Sequence, residues 1–165
     1  MPAGKKKSEH GSGLYLTTSA ATARRYAKGG GSIIRFEIDD RIRWLDRLKI
    51  TLALAEAFID GQPRLRHREQ VRADLHRYVE RTGQDPIPAS VLQNLLINHD
   101  ALTGNHGPAL AEFFVAQGAD ADYTRPPMFG GNPDEEWIIL YNLDLIRNWR
   151  RVTANESENA PRIRR

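Results

Sequence analysis

Apolar side chains follow two rhythms along this chain. From Ser32 to Asp39, Ile34, Phe36 and Ile38 alternate with Arg35, Glu37 and Asp39. That period of two predicts a strand with one buried face. Leu14 to Thr17 predicts a shorter strand. Trp137 to Tyr141 is apolar on both faces, as expected of an interior strand. Helical rhythm fills the middle. Ile50 to Ile59 is rich in Leu and Ala, and Arg66 to Arg81 carries Val71, Leu75, Tyr78 and Val79 on one stripe. Pro88 suits the first turn of a helix running to about Asn98. A turn at Asn105 to Pro108 precedes a helix from Ala109 to Gln117, closed by Gly118.

Turn and cap residues divide these segments. The hydroxyls of Thr17, Thr18 and Ser19 can cap a helix from about Ala20 to Lys28, which Gly29-Gly30-Gly31 then stops. Asp120 to Thr124 reads as a strand and Arg125 to Pro133, with its prolines and glycines, as a loop. Leu143 to Arg151 reads as a closing turn or helix. The order is strand, helix, strand, a helical middle, then strands. It predicts an α+β fold, a small and mostly antiparallel sheet with a helical insertion. Residues 13–152 form the expected single domain, with its helical middle at about 48–98. A flexible basic segment, 1–12, and a disordered polar tail, 153–165, flank it.

Composition narrows the class. A chain of 165 residues suits one domain with a real core. The absence of cysteine excludes a disulfide framework and a thiolate zinc site. No apolar run is long enough for a membrane span, and no signal-peptide core is evident. The expectation is a cytoplasmic protein, or one delivered into a target cell by a non-classical route, with no membrane partner. The net charge is +3, but it resides in the tails. Residues 13–152 hold 18 basic and 18 acidic side chains. A pI near 9.4 is therefore weak support for a nucleic-acid groove, which needs cations clustered on the fold.

The candidate chemistry lies in two blocks. In the first, Gly13 to Ala27, Tyr15 and Tyr26 stand eleven positions apart on a strand that feeds a helix. That arrangement can set two phenol rings on either side of a flat ligand. In the second, Glu136 opens the apolar run Trp137-Ile138-Ile139-Leu140-Tyr141. The first block resembles the second motif of the ADP-ribosyltransferase fold, in the branch with a His-Tyr-Glu triad (diphtheria-toxin-like and poly-ADP-ribose-polymerase-like enzymes). Glu136 to Asn142 is similar to that branch's third motif, a glutamate opening an apolar strand. Gly107 to Gly131 looks like the family's approach to this glutamate.

The resemblance implies NAD as substrate. Tyr15 and Tyr26 would sandwich the nicotinamide ring, and each contact of a flat cation with an aromatic face is worth ~0.5–2 kcal/mol. Gly13 belongs to the same cofactor-binding strand. Glu136 would hold a ribose hydroxyl and stabilise positive charge as the nicotinamide departs; Glu135 is the alternative acid. Polymerase-type members carry a serine three positions before the second tyrosine. Ala23 stands there in this chain, and Thr22 is the candidate substitute. The family's first motif, a His-Gly on an opening strand, has only His10-Gly11 as a counterpart, five positions from Tyr15.

The implied activity is mono-ADP-ribosyl transfer to a protein or nucleic-acid acceptor. A bacterial or phage toxin or effector role follows, with an immunity protein or antitoxin as partner. Two alternatives stand beside it. One is a module of the same fold that binds NAD or a partner without turnover. The other is a nucleic-acid-binding protein acting through its basic tails. His99 and His106 flank Asp100, and such a set can ligate a metal. With no third histidine at helical spacing, loop hydrogen bonding is the reading adopted, and no metal is expected. His67 and His76 read as solvated residues of a mixed-charge helix. Trp44, Trp137 and Trp149 read as core or rim.

Overall fold

The computed structural model of the chain describes residues 13–27, 32–124 and 136–152. β1 (Leu14–Thr17) runs into α1 (Ala20–Tyr26), and β2 (Ile33–Ile38) follows. A 3-10 turn at Leu45–Arg47 leads to β3 (Lys49–Ile50). The helical middle comprises α2 (Leu52–Gly61), α3 (Arg68–Thr82), a two-residue β4 (Ile87–Pro88), α4 (Ala89–Asn98) and α5 (His106–Ala116). β5 (Ala121–Thr124) and β6 (Trp137–Leu140) come next. After a 3-10 turn at Leu143–Leu145, β7 (Ile146–Val152) follows. The strands form three small antiparallel sheets: β1-β6-β5, β2-β7 and β3-β4. The fold is therefore α+β.

Local chemistry sets the helix ends. Thr51 accepts the Leu54 N–H at 3.2 Å and caps α2, while the Asp85 carboxylate accepts the Leu52 N–H at 2.9 Å from across the fold. Gly83 ends α3 in the left-handed conformation, φ 66°, where a Cβ would be strained. The stripe of α3 turns Val71 and Leu75 fully inward, with Tyr78 and Val79 packed at its margin. Leu92 and Leu96 of α4, and Leu110 and Phe114 of α5, complete the same core. A second, smaller cluster of Ala121, Ile138 and Leu140 lies on one face of the three-stranded sheet, packed by Leu14, Leu16, Ile38 and Ile146 among others.

Three expectations are corrected. Residues 146–152 form a strand, not a helix or turn. Arg147 to Arg151 carry one apolar residue in five, so pattern could not separate the two states; pairing with β2 decides. α5 begins at His106, with Pro108 inside its first turn, where the missing N–H has no helical partner to lose. Lastly, the apolar face of β2 is only partly buried. Ile38 packs against the second cluster and Phe36 is half-buried, whereas Ile34 is 45% exposed.

Candidate functional site

β1 and β6 are direct neighbours. Leu14 pairs with Leu140, Tyr15 with Ile139, Leu16 with Ile138 and Thr17 with Trp137. The two sequence blocks singled out above thus meet along the whole of β1. Gly13 is needed at the start of this pairing: a Cβ there would lie 2.6 Å from Ile139 Cγ2 and 3.1 Å from the Leu140 carbonyl oxygen. At the other end, Thr18 clasps Glu136. Its backbone N–H donates to the Glu136 carbonyl at 3.0 Å, and its hydroxyl accepts the Glu136 N–H at 3.0 Å. The chain then turns into α1. Thr17 Oγ1 accepts the Ser19 N–H, and Ser19 Oγ accepts the Thr22 N–H as the N-cap. Thr22 is buried.

The pleat divides the candidate residues between two faces, because alternate side chains of a strand point opposite ways. Leu14, Leu16, Ile138, Leu140, Ala121 and Tyr123 share one face, which carries the second core cluster. Glu136 belongs to this side. Tyr123 Oη donates to its carboxylate at 3.3 Å, and the Tyr123 ring meets Trp44 edge-on at 6.4 Å. Tyr15, Ile139 and Asp122 share the opposite face. Tyr15 is 39% exposed there, while Asp122 is buried.

Tyr141, just past β6, joins the Tyr15 face. Burial pushes its phenol far above the ordinary tyrosine value, and the charge of Asp122 pushes it the same way. Gln93 of α4 donates to its hydroxyl at 3.0 Å and opposes the shift, while Tyr15 adds a smaller electrostatic push upward. Both effects favour the neutral phenol of Tyr141. Its ring also packs on Phe114 of the helical core, 6.1 Å between centroids. The face thus offers one exposed ring, a buried carboxylate and a buried hydroxyl tied to α4.

Asp120 fixes this end of the fold. Its buried carboxylate accepts from the Arg43 backbone N–H (3.0 Å), Arg43 Nε (2.8 Å), Arg43 Nη2 (2.9 Å) and Asn142 Nδ2 (2.9 Å). Its backbone carbonyl accepts from the Tyr141 and Asn142 N–H groups. The Arg43 hydrogen bond is the main reason that the carboxyl is held down at about 2. Sequence reading missed Asp120, Asp122 and Gln93. For Asp120 and Asp122 the available signal was charge within an otherwise buried strand; for Gln93 it was an amide on the buried stripe of α4.

His76, His99 and His106 are tied into the scaffold. His106 is buried; its Nδ1 accepts the Thr103 N–H at 3.3 Å, so Nε2 carries the proton and donates to the Pro63 carbonyl at 2.8 Å. His99 Nε2 lies 2.9 Å from Asp74, and His76 Nε2 lies 2.7 Å from Glu56. His67 precedes α3 with a positive φ of 53°. Among the described residues no three His, Asp or Glu side chains gather as a metal site, and no helix is long and apolar enough to cross a membrane. Tyr26 ends α1, but its side chain lies outside the described residues, as do His10 and Glu135. Comparison with protein-family models, curated proteins and solved structures returned no match.

Proposed function

We propose that this chain is an ADP-ribosyltransferase-like domain that binds NAD at the β1–α1 junction and transfers ADP-ribose to a protein or nucleic-acid acceptor. The observation that carries the reading is adjacency. Glu136 and Thr18, 118 positions apart in sequence, are bonded backbone to backbone where β1 turns into α1. Tyr15, on the same strand, presents a partly exposed aromatic ring of the kind that stacks on nicotinamide. Two carboxylates stand near that strand. Glu136 lies at its end, held by Tyr123; Asp122 shares the face of Tyr15, on the far side of β6. Glu136 is the acid that the resemblance assigns to the ribose, where it would counter developing positive charge; Asp122 is the one that shares the face of Tyr15. A toxin or effector role, in the cytoplasm or in a target cell, completes the proposal.

A second reading is binding without turnover. It is favoured by the pleat, which sets Tyr15 and Glu136 on opposite faces of one sheet. Incubation with labelled NAD and a cell lysate separates the two. The transferase reading expects nicotinamide release and label transfer, with a large loss in Glu136→Gln or Asp122→Asn. Binding of NAD with no release leaves only the module. No binding at all removes both.

A further inference from the structure

The β2–β7 ribbon carries a feature that the NAD site does not use. Phe36 pairs directly with Trp149, and Ile34 with Arg151, so these four side chains share one face. Trp149 is 62% exposed, the most exposed of the large apolar side chains described. A tryptophan so open on regular strand is a poor core residue and a good stacking surface. The flanking chemistry is basic. β2 and β7 together carry Arg35, Arg147, Arg150 and Arg151 against a single acid, Glu37. Taking these from the 18 basic and 18 acidic side chains of residues 13–152 leaves the rest of the domain acidic overall. The ribbon strands therefore carry net positive charge: Arg151 lies on the aromatic face, Arg35 and Arg150 pair on the opposite face, and Arg147 is bonded to Asp39.

The geometry of the ribbon supports this use. Its base is anchored where Ile38 and Ile146 enter the second core cluster. A register irregularity between Glu37 and Ile38 leaves Arg147 as the extra residue of β7, and Arg147 bonds Asp39 at 2.5 Å. Beyond it, Phe36, Trp149 and Arg151 lie within one twisted two-stranded surface. Aromatic rings with a cation on the same face, here Arg151, and further arginines along the strand edges are what a single-stranded nucleic acid needs. Bases stack on the rings, and the phosphates meet the cations. A duplex hides its base faces and gains only the second contact.

We propose that the Phe36–Trp149–Arg151 face of the ribbon binds single-stranded nucleic acid. The proposal is independent of NAD turnover and moves the nucleic-acid contact from the basic tails to the fold itself.

The test uses the full chain and a fluorescently labelled twelve-nucleotide single strand, with the matching duplex as comparator. Binding is read by anisotropy at low and high salt, and stacking by quenching of tryptophan emission. The expected result is preference for the single strand, affinity that falls with salt, and quenching. Trp149→Ala and Arg151→Glu should each weaken binding by about tenfold with unchanged thermal midpoints. The full chain with Lys5, Lys6 and Lys7 all changed to Ala should keep most of the affinity. No binding at low salt would overturn the proposal, as would equal affinity for the duplex or indifference to both ribbon variants. It would also fail if Trp149→Ala instead abolished self-association or binding to phosphatidylserine vesicles while leaving oligonucleotide affinity intact.

Discussion

The helical middle and the strand end of this molecule solve different problems. The first encloses sixteen buried apolar residues in one cluster; the second encloses three, beneath a sheet whose other face holds Tyr15, Asp122 and Tyr141. The helices hold the fold. The strand end keeps aromatic rings in contact with solvent and charged groups in or near its interior, and hydrogen bonds of Asp120 and Thr18 staple its smaller apolar cluster. Low local stability and exposed chemistry commonly coincide, because a binding surface cannot also be a sealed core.

Mutations at the two ends should therefore differ in kind. Phe114 is fully buried and touches both the α5 core and Tyr141. Phe114→Ala should cost ~3–5 kcal/mol, read by urea denaturation. If it cost less than ~1 kcal/mol, the helical cluster would not be the main stabilising element. Gly13→Ala comes next. A Cβ at 2.6 Å from Ile139 must displace β1 or β6, at a cost of ~1–3 kcal/mol. Because β1 carries Tyr15, this variant should lose NAD affinity as well as stability, whereas Phe114→Ala should act on stability first.

Asp120 gives the comparison a pH axis. Its folded value, about 2, lies below the ordinary carboxyl value of about 4. Its stabilisation is therefore complete above about pH 4 and is lost as pH falls toward about 2. Asp120→Asn should cost on the order of 1–2 kcal/mol at neutral pH and flatten the acid limb of the thermal midpoint against pH. An unchanged acid limb would mean that the Arg43–Asp120–Asn142 clasp does not hold the strand end. The smallest effect on stability belongs to Trp149→Ala, within ~0.5 kcal/mol, because its ring is already largely in water. A large loss there would show that the ribbon face is packed rather than open.

The sequence carried the helical middle well. The stripe of α3, the hydroxyl caps before α1 and the glycine after α5 state their structure locally. It also carried the interior character of β6. β7 was illegible because its residues form a strand only by pairing with β2, more than a hundred positions earlier. The site was half legible for the same reason. Spacing marks Tyr15 and Glu136, but the pleat that sends them to opposite faces follows from register, as does the placing of Tyr15 and Asp122 on one face, either side of Ile139. The basic and acidic side chains balance along the domain, and where the arginines gather is set by strand pairing. Only the pairing of two strands collects four arginines in one ribbon.

NAD binding at Tyr15 is decided by titration calorimetry of NAD into the wild-type chain and into Tyr15→Ala. Saturable binding to the wild type and at least tenfold weaker binding to the variant are expected, with both proteins folded to the same thermal midpoint. Absence of binding to the wild type, or equal affinity in Tyr15→Ala, would contradict it.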